Sequence, residues 1–86
     1  MSERSEAVAS RARQMVEELQ RARDEIRVQL HLAGMEVRDT FERLEPKLVR
    51  FEARAHELGD EPVHELEESF KHLRSAFHKL REQIIL

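Results

Sequence analysis

Leu30-His31-Leu32-Ala33-Gly34-Met35-Glu36-Val37 is the stretch whose reading decides the fold. Leu30, Ala33 and Val37 continue a helical spacing of threes and fours across Gly34. A glycine inside a helix costs about 1 kcal/mol relative to alanine, and it invites a turn. A break, however, normally shifts the phase of an apolar face, and here the phase runs straight through. No cluster of polar turn residues surrounds Gly34 either. The spacing therefore predicts unbroken helix at Gly34. The alternative is a three-helix bundle monomer that turns there.

Working outward, the same apolar face passes N-terminally through Ile26, Ala22, Leu19, Met15, Ala12 and Val8, and C-terminally through Phe41, Leu44, Leu48, Phe51, Ala55 and Leu58. Its steps form heptads up to Ala22, eleven-residue units from Ala22 to Leu44, and heptads again to Leu58. Heptad seams coil left-handed, whereas eleven-residue seams straighten or coil slightly right. Pro46 lacks an N–H and crowds the carbonyl of Glu42, yet Leu44, Leu48 and Phe51 keep the phase, so a kink is expected near Pro46 rather than a break. The first helix is placed at 3–58. Gly59 suits a helix C-terminus, Asp60 can cap the next helix, and Pro62 fits its first turn. The second helix, about 61–85, carries Val63, Leu66, Phe70, Leu73, Phe77, Leu80 and Ile84 in heptads. Residues 1–86 form a single all-α domain.

Folding about residues 59–62 makes the two helices antiparallel neighbours. Val63 then lies beside Leu58, Phe70 beside Phe51, Leu73 beside Leu48, Phe77 beside Leu44, Leu80 beside Phe41 and Ile84 beside Val37. These residues, with Leu66, are the expected hairpin core. The second helix is then used up, and Val8, Met15, Leu19, Ala22, Ile26, Leu30, Ala33 and Gly34 are left on an overhang. Burying each large apolar side chain is worth about 1.5–3 kcal/mol, so the overhang needs a partner. A second copy is the simplest one. The expected assembly is an antiparallel homodimer, rod-like, with its two-fold axis near Ala33-Gly34 and those eight residues in the interface.

The composition sets the limits on chemistry. Charged residues make up 38% of the chain, and the net charge of −3 comes from well-mixed signs, so attraction to nucleic acid is weak. There is no cysteine, hence no disulfide, thiolate nucleophile or cysteine metal site. The N-terminal residues lack the apolar core of a signal peptide, which points to a cytoplasmic protein. Five histidines (31, 56, 64, 72, 78) tempt a metal reading, and His64–Glu68, Glu52–His56 and Glu68–His72 are each four apart. None forms a His-x3-His pair, and they read as solvent-facing or seam-edge side chains. No phosphate loop and no nucleophile–base spacing occurs. Neither an enzyme activity, a cofactor nor a metal is expected.

The segment Glu25–Asp39, followed by Phe41-Glu42-Arg43-Leu44-Glu45, resembles a family of small, largely uncharacterised bacterial coiled-coil proteins, some labelled stress-associated. That family commonly has Lys where this chain has Gly34, and helix-favouring residues where it has Pro46. The resemblance implies a helical hairpin in a bacterial cytoplasm and brings no active-site residue with it. The reading that follows is a structural or interaction module that self-associates through its apolar face, of the scaffold or adaptor kind. The alternatives are a peripheral binder of membrane surfaces or nucleic acid, and a regulator that docks its N-terminal helix on a partner protein.

Overall fold

The computed structural model describes residues 3–57 and 63–85. It contains three α-helices, α1 Glu3–Gln29, α2 Met35–His56 and α3 Val63–Ile85, with a 3-10 turn at Leu30–Leu32 between the first two. The expected single helix over 3–58 is thus broken at residues 30–34, and the three-helix bundle is the architecture the chain adopts. The caps assigned to Gly59, Asp60 and Pro62, and the core place of Leu58, lie outside the described residues.

The break is made with modest means. The Ala33 N–H donates to the Leu30 carbonyl at 3.0 Å, closing the 3-10 turn. Ala33 and Gly34 are extended, with ψ of 151° and 171°, and Gly34 serves as N-cap of α2 without any side-chain cap bond. Arg38 Nε reaches back to the Leu30 carbonyl at 3.4 Å. Neither φ is positive, and a Cβ built on Gly34 meets nothing within 4 Å. Glycine is therefore not demanded by left-handed geometry here. It contributes by being a poor residue for helix continuation and an acceptable N-cap.

What the break gains is the burial of α1 within its own chain. Met15 and Leu19 are fully buried and Ile26 is 1% exposed. They join Phe41, Leu44, Leu48 and Phe51 of α2 and Leu66, Phe70, Leu73, Phe77 and Leu80 of α3 in one core, with Ala22, Leu30, Val37 and Ile84 packed at its edges. At about 1.5–3 kcal/mol for each large side chain, this outweighs the few backbone hydrogen bonds given up at the turn. It also avoids the loss of translational freedom that a second copy would entail. The expected overhang therefore does not exist in this structure. Of the residues assigned to a dimer interface, Met15, Leu19 and Ile26 are core, Ala22 and Leu30 border it, and Val8 is half-buried. The proposed two-fold at Ala33-Gly34 required continuous helix where the chain turns. Pro46, by contrast, sits inside α2, which continues through it as expected.

Ion pairs define how the helices run. Arg11–Glu67 at 2.9 Å, Glu18–Arg74 at 3.5 Å and Glu25–Arg81 at 3.1 Å join α1 to α3. The three rungs advance together in both helices, one heptad at a time, so α1 and α3 are parallel. Gln20 donates to Glu52 at 2.5 Å and Arg27 pairs with Glu45 at 2.6 Å, and these rungs run in opposite senses, so α1 and α2 are antiparallel. It follows that α2 and α3 are antiparallel too, as the hairpin reading required. Arg54 Nη1 donates to Ser69 Oγ at 2.9 Å across that pair. The bundle measures 48 × 16 × 16 Å, whereas a straight helix over 4–58 would span roughly 80 Å.

Candidate interaction surface

Among the described residues every buried side chain is apolar. The chemistry of the molecule is therefore on its surface, and two features stand out there: the charged ladder between α1 and α3, and a set of large apolar side chains left in water.

The ladder is built from complementary signs. Along α1 the rungs read Arg11, Glu18, Glu25, and along α3 they read Glu67, Arg74, Arg81. A slip of one heptad would face Glu18 with Glu67, or Arg11 with Arg74. Each exposed pair is worth only about 0.2–1 kcal/mol, yet a slip in either direction would replace three matched rungs by one matched and one like-charge rung, so the sign pattern disfavours the wrong register as well as favouring the right one. Arg11 and Arg74 also lie over the Phe70 ring, at 5.5 and 4.9 Å from its centre, which extends the apolar cover of that buried phenyl group. The hydrogen bond from Arg11, reinforced by its charge, holds the Glu67 carboxyl below its ordinary value of 4.5 against a smaller opposing effect of desolvation. A depressed carboxylate contributes stability above its unfolded pKa, and that contribution is lost as pH falls through the folded one. An NMR titration is expected to show Glu67 protonating below 4.5, and Arg11→Gln is expected to move it back up.

Well-mixed charge along the sequence gives no sign of this ladder by itself. The signal for the ladder was present as a seven-residue recurrence of sign, positive-negative-negative on α1 and the inverse on α3. It could be read only once α1 and α3 were known to be parallel neighbours.

The exposed apolar set comprises Val28 at 73%, Leu32 at 69%, Met35 at 79% and Val49 at 60% exposure. The first three lie within eight residues of chain around the α1–α2 turn, at that end of the bundle. Val49 is fourteen residues beyond Met35, roughly 20 Å further along α2. Val28 also lines an open groove of about 250 Å³ with Glu25, Gln29 and Arg81. The groove is bordered by the Glu25–Arg81 rung, so its charges are already matched.

The histidines are all exposed. His64 Nε2 lies 3.9 Å from Glu68, and His78 approaches Glu82 at 3.4 Å, the latter a pairing that sequence reasoning missed. His31 Nδ1 is 3.1 Å from the Val28 carbonyl. Among the described residues no group of three or more His, Asp or Glu side chains is placed to hold a metal ion. No helix among them is long and apolar enough to cross a membrane. No family model, no curated protein and no solved structure matches this chain.

Proposed function

We propose that this chain is a non-enzymatic helical interaction module that self-associates, as a scaffold or adaptor would. The observation that carries the reading is the exposure of Val28, Leu32 and Met35 around the α1–α2 turn, each at least 69% exposed, on a bundle whose remaining large apolar residues are mostly covered. Large apolar side chains concentrated at one end of a charged helical bundle mark a contact surface. The rest of the surface favours a like partner: both signs of charge are interspersed, the net charge is only −3, and like copies repel weakly.

Sedimentation over a range of concentrations tests this. The wild-type chain is expected to shift from monomer toward dimer as concentration rises. Leu32→Glu and Met35→Glu are expected to weaken that association by about tenfold or more, as the loss of roughly 1.5–3 kcal/mol of apolar burial implies. The melting of the monomer should hardly change, because neither side chain is in the core. A chain that stays monomeric at every concentration overturns the reading.

A further inference from the structure

We propose that residues 30–34 are a hinge at which α1 is exchanged between two copies, giving a dimer in which residues 3–57 form one continuous helix. The inference rests on the self-association proposed above and specifies how it occurs. Two independent features of the hinge point to it.

The first is phase. Ile26, Leu30, Ala33, Val37 and Phe41 keep helical spacing straight through the turn, so an opened hinge leaves the apolar face of α1 aligned with that of α2. A turn that existed only as a turn has no need of this alignment. The second is the weakness of the closure. No residue of the 3-10 turn is buried, the N-cap makes no side-chain bond, no residue adopts a left-handed conformation, and the space beside Gly34 is empty. Opening restores the helical hydrogen bonds that the turn interrupts. The register of the exchanged form follows from the closed one, because the pairs Arg27–Glu45 and Gln20–Glu52 both have residue numbers that add up to 72. If the same register is kept between copies, the two-fold axis falls near residue 36.

Every α1 contact of the closed bundle is remade in the exchanged dimer, but with the α2 and α3 of the other copy. Exchange of an identical element is a low-cost route to a dimer for this reason. The ladder between α1 and α3 provides a test. One variant carries Arg11→Glu with Glu18→Arg; a second carries Glu67→Arg with Arg74→Glu. Each keeps the wild-type net charge, so the two have no general attraction for each other. Alone, each faces like charges across two rungs, whether closed or exchanged with itself. Heated and cooled together at high concentration, they can restore both rungs in each half of an exchanged heterodimer.

The expected result is a one-to-one heterodimer that melts several degrees above either variant alone. If a variant is too weak to fold by itself, the same rescue appears as helical circular dichroism regained on mixing. A mixture that melts as the two separate variants do overturns the exchange. If that mixture is nevertheless dimeric by sedimentation, the surface association of the preceding section survives; if the wild-type chain and the mixture are monomeric throughout, both proposals fail. A second measurement acts on the hinge itself. Gly34→Ala, which favours continued helix and meets no neighbour in the closed form, is expected to raise the dimer fraction, and Gly34→Asn, a better N-cap, to lower it. Equal dimer fractions in the two variants also overturn the hinge.

Discussion

Replacing Leu19 by alanine is expected to destabilise the bundle by about 2–5 kcal/mol. Leu19 is fully buried and sits midway along α1, where it meets the core built by α2 and α3. Alanine removes three carbons from a site that the surrounding helices cannot fully collapse upon. For a domain of this size the melting temperature should fall by roughly 10–30 °C. The prediction has force because the two-helix hairpin makes the opposite one. There Leu19 lies on an overhang, and its truncation leaves the hairpin's own melting untouched while weakening a dimer. Thermal denaturation at two well-separated concentrations distinguishes them. Leu32→Ala is the internal control, since an exposed leucine of the same size should change the monomer's stability by no more than about 0.5 kcal/mol. A loss below about 1 kcal/mol for Leu19→Ala, at concentrations where the chain is monomeric, would mean that α1 is not part of the core.

Pro46→Ala is expected to act in the other direction, raising stability by about 2 kcal/mol. Pro46 is exposed and lies well inside α2, eleven residues after its first residue, so no packing is lost with the ring. Alanine restores an amide that can bond the Glu42 carbonyl and removes the ring's clash with it, a penalty of about 3 kcal/mol in a helix interior. Part of that gain is offset because proline also restricts the unfolded chain, by about 0.4–1 kcal/mol. The melting temperature should rise by roughly 10–15 °C, as read by circular dichroism at 222 nm. No gain would show that α2 has adjusted around Pro46 so completely that proline is its preferred residue there.

The two residues that interrupt the apolar pattern have opposite outcomes. Pro46 is the stronger helix breaker, yet the helix passes through it, because Leu44, Leu48 and Phe51 on either side are locked into the core. Gly34 is the weaker one, yet the chain turns there, because the residues around it have no comparable hold. Leu30, Ala33 and Val37 are only half-buried, while Leu32 and Met35 are exposed. Local propensity ranked the two sites in one order and tertiary packing reversed it. The core residues of α2 and α3 were legible throughout, since a heptad of Leu and Phe can bury itself on one face alone. That Val28, Leu32, Met35 and Val49 stay in water was not legible, because it depends on where the third helix comes to lie.

Periodicity determined that the chain is helical, which face of each segment is apolar, and that the segments ending near 57 and starting near 63 run antiparallel. These are properties of single helices and short connections, set by side-chain spacing and turn chemistry. It left open whether α1 finds its cover in its own chain or in another. An apolar face has the same spacing whichever surface covers it, and a break of a few residues that preserves phase leaves no mark on that spacing. Only the tertiary structure decided for the closed bundle, because folding back at residues 30–34 buries Met15, Leu19 and Ile26 at the cost of one weak turn. The same preserved phase is what makes the opened, exchanged form accessible to this chain.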